Sequence, residues 1–281
     1  MKQILFCPLC KEPLKRVDNA FKCVNRHSYD ISRKGFVNLL LPNQHHSDHS
    51  GDEKEMILAR VRFLNSGKYD VLRNLIKDTL EKFLVMNNSS EAVILDAGCG
   101  DGYYTTYYHK ELSQNYDIST YGVDLSKQAI NESSIRCRKE HLDNLLFVIG
   151  NMNYLTIEDE SVDFIINSFA KIDENEFLRV LKKGKYFFRI LPNEEHLLGL
   201  KQVLYENVRL NEEKEKHLNG FNLIDEILTS DYISLNHQEI NDLFMMTPYY
   251  YKTSIEAKER LMNLNYLETK IGFKILIYQK I

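Results

Sequence analysis

The spacing of apolar residues changes along the chain, and each change marks a different kind of element. Over 53–65, Met56, Ala59, Arg60, Phe63 and Leu64 recur at three- and four-residue intervals, which predicts an amphipathic helix. Asp52 with Glu55 three residues on forms a loose capping box at its start, and Gly67 stops it. A second helix is predicted over 70–86, with Leu72, Leu75, Ile76, Thr79, Phe83 and Leu84 on one face. The two helices are expected to join a small head to a larger body and to cover one face of its sheet. Beyond the turn at 87–90 the pattern becomes short apolar runs, at 92–96, 120–124, 145–149, 162–167 and 186–191, with helix-length stretches between them. Alternation of that kind predicts an α/β fold with a doubly wound, largely parallel sheet. A closing pair of strands is expected at about 246–252 and 271–279.

Ahead of the first helix the chemistry is of another sort. Cys7-Pro8-Leu9-Cys10, twelve residues, Cys23, three residues and His27 make a C-x2-C-x12-C-x3-H pattern. A C-x2-C turn aims two sulfurs at one point, and a hairpin can bring the second pair to complete a tetrahedron. Three thiolates and an imidazole select Zn2+, and a shell closed by four protein ligands is structural rather than catalytic. A segment of roughly 40 residues is too small to build an adequate core, so the metal would supply the missing folding energy. Leu9, Phe21 and Tyr29 are expected to pack around it. The next histidines, His45, His46 and His49 with Asp48, lie in a turn-rich polar stretch at 42–52 that reads as a linker. The expected organisation is a zinc-binding head over 1–42, linker and joining helices over 43–90, and a body over 91–281.

The run at 92–96 ends in Asp96 and leads at once into Ala97-Gly98-Cys99-Gly100-Asp101-Gly102 and a helix from Tyr103. Glycines at the carboxyl end of a first strand let backbone approach a ligand closely. The next strand ends in a second acid, Asp124, at the separation that suits a ribose diol. The pattern G-x-G-x-x-G is missing, so no pyrophosphate seat is evident. Cys99 reads as a small residue in a tight turn and Cys137 as a bystander on a charged helix.

Asp-x-Gly-Cys-Gly-x-Gly followed by Gly-x-Asp-x-Ser resembles the first motif and the following acid of the class I S-adenosylmethionine-dependent methyltransferases. The resemblance implies that the turn around Gly98 and Gly100 hugs the methionine part of S-adenosyl-L-methionine and that Asp124 binds its ribose. Asp96 would then hydrogen-bond the loop. Gly150-Asn151-Met152 resembles the adenine-contacting turn, with Asn151 in place of the usual acid. The head extends the likeness. Phe6 to Cys10, Cys23 to Asp30, Lys34 to Leu40, Gly51 to Tyr69, Cys99 to Thr105, His196-Leu197, Lys201 and Met246-Thr247-Pro248 together resemble the RlmA-type 23S ribosomal RNA (guanine-N1)-methyltransferases over nearly the whole chain. That family resemblance implies methylation of guanine N1 in the hairpin 35 loop of 23S rRNA, at guanine 745 or 748, by a homodimer. Carried over residue by residue, it places cofactor contacts on Tyr69, Gly100, Asp101 and His196 and zinc on Cys7, Cys10, Cys23 and His27. Tyr69 could instead anchor the second helix, and His196 could cap a helix at the surface.

The chain departs from the family at Asn167-Ser168-Phe169-Ala170-Lys171, where an Ala-Pro turn is usual, and at Lys183 and Lys185. Asn167 is the position expected to orient the target base, and no residue is assigned as catalytic. The aromatic run at 244–251 fits either stacking on a splayed base or a core strand. Competing readings are a small-molecule or protein methyltransferase with a partner-binding head, and a non-catalytic cofactor-binding assembly factor.

Composition narrows the class. The 281 residues are 43% hydrophobic and 27% charged, enough for a sizeable core, and no run approaches a membrane span. Residues 1–14 do not read as a secretory leader, and five cysteines with a front-loaded cluster fit a reducing cytoplasm. Net charge is −4, but residues 1–40 hold eight Lys and Arg against three acids, a surplus of five, which leaves the rest at −9. A basic head on an acidic body suggests an anionic partner docked at one end.

Overall fold

The computed structural model describes residues 1–41, 54–213 and 215–281. The histidine-rich linker segment at 42–52 and the Asp52 cap lie outside these residues. The head contains an antiparallel three-stranded sheet, β1 (Lys15–Val17), β2 (Ala20–Lys22) and β3 (Ser28–Asp30), and then β4 (Val37–Asn38). The joining helices α1 (Lys54–Asn65) and α2 (Asp70–Met86) follow where periodicity places them. The body runs β5 (Glu91–Ala97), α3 (Tyr103–Leu112), β6 (Asp117–Asp124), α4 (Lys127–Lys139), β7 (Leu145–Ile149), β8 (Val162–Ser168), α5 (Glu174–Val180) and β9 (Leu181–Pro192). It closes with α6 (Leu198–Leu204), β10 (Phe221–Asn236), α7 (His237–Met245), α8 (Tyr249–Lys252), α9 (Ile255–Met262) and β11 (Tyr266–Lys280).

Among the described residues the main sheet has eight strands in the order β10-β11-β9-β8-β5-β6-β7-β4. Pairs from β9 through β4 are parallel, and β11 pairs antiparallel with both β9 and β10. Both β6 and β8 flank β5, so the crossovers leave β5 in opposite directions and open a crevice at its carboxyl end. Alternation along β5 explains the two cores. Ile94 packs with Phe164, Phe188 and Ile275 beneath Leu72, Ile76, Leu80 and Phe83 of α2. Val93 and Leu95 face the other way, toward Ile165, Phe187 and the head residues Leu5, Leu14, Phe21 and Val37.

The head is therefore fused to the body rather than tethered beside it. Val37 of β4 pairs with Val148 of β7, the Phe6 N–H donates to the Thr156 carbonyl at 3.1 Å, and the Glu158 N–H donates to the Ile4 carbonyl at 2.9 Å. The Lys2 N–H donates to Ser119 Oγ at 2.9 Å, and the Tyr121 hydroxyl donates back to the Lys2 carbonyl.

Two expectations are corrected. The partner of the last strand is β10, not 246–252, which forms the turn after α7 and then α8. Asn236 and Glu239 make a reciprocal capping box that starts α7, and Pro248 caps α8, so the tyrosine-rich run is helical. Tyr250 packs edge-on against Phe244, and Tyr251 is exposed. Leu9 does not pack around the cysteines; at 59% exposed it sits on the outside of the C-x2-C turn.

Candidate functional site

The head brings Cys7, Cys10, Cys23 and His27 together, with all four ligand atoms within 4.8 Å of one another. A tetrahedral zinc with bonds of about 2.3 Å separates two sulfurs by about 3.8 Å. The Cys10 and Cys23 sulfurs are 3.7 Å apart, and His27 Nδ1 lies 3.4 Å from each of the three sulfurs. The set fits zinc in number, softness and size. Tyr29 places its hydroxyl 3.2 Å from Cys7 Sγ, where it can donate to a ligand sulfur.

The second site lies at the carboxyl ends of β5, β6 and β8. The Gly98 and Cys99 N–H groups both donate to the Val123 carbonyl, at 2.8 and 3.1 Å, which stitches the glycine turn onto β6. Gly100 N–H donates to Asp124 Oδ2 at 3.0 Å, while Ser126 N–H donates to Asp124 Oδ1 at 2.8 Å and so fixes that carboxylate beside the turn. Gly100 has φ +55°, and a side chain there would meet nothing within 4 Å. An L-residue is disfavoured by the backbone, yet the space is open, as expected for a cradle that admits a ligand. Gly98 is the opposite case: a Cβ would lie 2.5 Å from Ala170 Cβ, so the 169–171 segment rests on the turn.

Asp96 is buried under this loop, where its Oδ2 accepts from the Thr105 and Tyr108 hydroxyls at 2.7 and 3.1 Å. Its Oδ1 has no partner among the described residues. Cys99 is buried, and burial together with the nearby Asp124 and Asp96 carboxylates pushes its thiol well above the ordinary range. That makes it unreactive, as its place in the turn suggests. Cys137 is likewise raised by burial, to about 11.

Tyr69 and His196, 127 positions apart, meet in the core next to Phe273, with Tyr69 Oη 3.2 Å from His196 Nε2. The Gly272 N–H donates to His196 Nδ1 at 3.2 Å, so that nitrogen is unprotonated and the neutral ring donates from Nε2 to Tyr69. Burial, reinforced by the Lys201 charge, lowers His196 to about 3, so the imidazole stays neutral. At 8% exposed, His196 is no surface cap. Tyr69 occupies the residue before α2 but makes no side-chain cap there.

Asp101 is less available: its carboxylate is paired with Arg136 at 2.9 Å and is 4% exposed. Asn151 Oδ1 accepts from Asn153 N–H at 2.9 Å and shapes its own turn. Asn167 is 1% exposed; its Nδ2 donates to the Ala97 and Lys171 carbonyls at 2.8 and 3.4 Å, so it clamps the glycine turn to the 169–171 segment. Asn167 Oδ1 and Ser168 Oγ lack partners among the described residues. The Asn167 clamp and the Thr105 and Tyr108 contacts to Asp96 were not legible beforehand, because each joins elements far apart in the chain or depends on helix phase.

A family model described as "RlmA, N-terminal" matches residues 5–48, and a second, "Methyltransferase domain", matches 88–239, more than half the chain. The chain is 26% identical over 251 residues to a 23S rRNA (guanine(748)-N(1))-methyltransferase of Streptomyces fradiae, covering 87% of this chain and 84% of that one. It is 30% identical over 210 residues to a candidate 23S rRNA (guanine-N(1)-)-methyltransferase of Micromonospora griseorubida, covering 70% of this chain and 68% of that one. The chain belongs to the RlmA-type methyltransferase family. A solved SAM-dependent methyltransferase from Thiobacillus denitrificans in complex with S-adenosyl-L-homocysteine is 15% identical, with TM-score 0.42 over 69% of this chain and 86% of that one.

In this methyltransferase the buried Asp96 is a source of pH dependence. Burial raises it from 3.8 to about 6. The folded state then holds a proton that the unfolded chain has released. Stability of the ligand-free enzyme is expected to fall as pH rises from about 4 to about 6, by about 3 kcal/mol in all. Above that window the loss is constant. Asp96→Asn keeps an acceptor for Thr105 and Tyr108 and carries no charge, so it should lack this decline. Urea melts of both proteins from pH 4 to 7 check this, and a stability difference independent of pH would remove Asp96 as the source.

Proposed function

We propose that this RlmA-type enzyme transfers the methyl group of S-adenosyl-L-methionine to N1 of a guanine in 23S ribosomal RNA, at guanine 745 or 748 in the hairpin 35 loop. The observation that carries the reading is the pairing of two features on one chain. One is an open cradle at Gly100 with Asp124 fixed beside it. The other is a basic head that places three thiolates and an imidazole at tetrahedral separations. Two similar chains, matched over 87% and 70% of this one, are named as 23S rRNA guanine-N1 methyltransferases.

The bound cofactor supplies a methyl group on a good sulfonium leaving group. The chain's own task is chiefly alignment of acceptor and donor. We assign the methionine part to the Gly98–Gly100 turn, the ribose to Asp124 and the adenine side to Asn151. Tyr69, with its hydroxyl oxygen occupied by His196, retains its hydroxyl proton to donate to the same ligand, and His196 holds it there. Asp101 acts on the turn through Arg136. Guanine N1 carries a proton that must be lost. His196 does not take it: its Nδ1 is committed to Gly272 and its Nε2 already carries hydrogen.

Residues 1–42 form the RNA-recognising head, 43–90 the joining segment and 91–281 the catalytic body. Lys15, Arg16 and Lys22 are all exposed on the head hairpin and would track phosphates. We further propose a homodimer, as the family resemblance implies, in the reducing cytoplasm that the cysteine pattern fits. The test is transfer of labelled methyl to a 23S rRNA fragment containing hairpin 35, mapped by primer extension, because an N1-methyl group blocks base pairing. A single stop at guanine 745 or 748 is the expected result. Cofactor binding with transfer to a small molecule or protein but to no RNA would overturn it.

A further inference from the structure

At the mouth of the site one side chain stands apart. Phe169 has φ +60° and is 43% exposed. A bulky residue in the left-handed region is an outlier, held only where its surroundings fix it. Here they do so on both sides. The Phe169 N–H donates to the Ile190 carbonyl at 3.1 Å, Ala170 rests on Gly98, and the Asn167 amide joins Ala97 to Lys171 across the segment.

The ring is the outermost of a connected aromatic set. Its centroid is 6.0 Å from that of Phe273, which lies 5.0 Å from Tyr69 and 4.9 Å from His196. Phe273, Tyr69 and His196 are all buried, and the aromatic surface reaches solvent at Phe169. Met152, from the turn after β7, closes the same spot, its sulfur 3.4 Å from where a Gly98 side chain would begin. The exposed ring thus sits on a strained, clamped backbone beside Ala170, which rests on the glycine turn, and only its inner side is packed, against Phe273. An RNA base drawn out of its loop needs a flat apolar surface beside the reacting centre.

We propose that Phe169 is a positioning residue: the target guanine stacks on its ring and is thereby held with N1 toward the cradle at Gly100. The inference rests on the RNA reading above and goes beyond it.

The test compares wild type with Phe169→Ala, Phe169→Leu and Phe169→Tyr in the full-length zinc-loaded protein, using a hairpin 35 RNA and S-adenosyl-L-methionine. Loss of a stacked base is expected to cost about 10- to 100-fold in kcat/KM for RNA in the Ala and Leu variants. Leu keeps the bulk and lacks the π-face, so it also guards against a fold lost through truncation. The Tyr variant should retain wild-type turnover. Affinity for S-adenosyl-L-methionine by calorimetry and the salt slope of RNA binding should be unchanged in all three, because neither phosphates nor cofactor are touched. Activity of Phe169→Leu equal to wild type would overturn the proposal, as would a cofactor affinity that falls in step with RNA turnover. A wild-type enzyme that binds cofactor and methylates no RNA fails at the earlier step and overturns the RNA reading itself.

Discussion

Gly100→Val is expected to weaken S-adenosyl-L-methionine binding by at least about 100-fold, or about 3 kcal/mol, while the protein stays folded. The reason is a combination no other position in the turn offers. The missing side chain at Gly100 faces open space, with no atom within 4 Å of its Cβ position, so valine methyls would extend into the volume assigned to the methionine part of the cofactor. Two effects must be separated, because φ +55° is also disfavoured for a β-branched residue by about 1–3 kcal/mol. Gly184 provides the control: it has φ +73° and nothing within 4 Å, but lies near the start of β9, at the other end of the sheet. Gly184→Val should suffer a similar loss in melting temperature and keep full cofactor affinity. Calorimetry on the two variants decides the matter. Equal affinity in wild type and Gly100→Val would remove the turn from the cofactor site.

What was legible in the sequence follows a physical line. Strands buried on both faces announce themselves as apolar runs, and β7 matches its predicted 145–149 in full. The four metal ligands were legible because tetrahedral sulfur chemistry forces short, fixed spacings. The strand β10 was not legible for the converse reason. It is the sheet edge, and Leu223, Ile224, Leu228 and Tyr232 are all more than 40% exposed, so its apolar residues mark no buried face. The apolar run at 246–252 drew the strand assignment instead, although Asn236, Glu239 and Pro248 already carried helix-start signals. Two-residue β4 has no pattern at all and exists because β7 offers it an edge. In the site, Asp96, Gly100 and Asp124 were readable as local motif. The Tyr69–His196 pair required the family resemblance, since a hydrogen bond between residues 127 apart leaves no local trace. The clamp made by Asn167 was missed because a buried amide that serves backbone carbonyls looks, in sequence, like any strand-end polar residue.

Removing the metal should do more than unfold the head. Taken as a separate small unit, residues 1–40 would be expected to melt alone when Cys23 becomes serine and to leave the body folded. The packing argues otherwise. Cys7, Leu14, Phe21, Cys23 and Ile31 belong to the same core as Val93, Leu95, Tyr121, Val123 and Val148, and β4 is the edge of the main sheet. A head that loses its metal cannot hold that arrangement, because its three short strands bury too little to stand alone. Unfolding it would expose one apolar face of β6 and β7 to water. At about 25 cal/mol per Å2, exposing even about 150 Å2 of that face costs about 4 kcal/mol. Cys23→Ser, or chelation of the wild-type protein, is therefore expected to lower the melting temperature of the whole chain in one transition. Hydrogen exchange should show lost protection at Tyr121 and Val148 as well as in residues 1–40. Two separate transitions, with protection in β6 and β7 intact, would instead establish the head as an independent unit, and RNA methylation could then be assayed on the body alone.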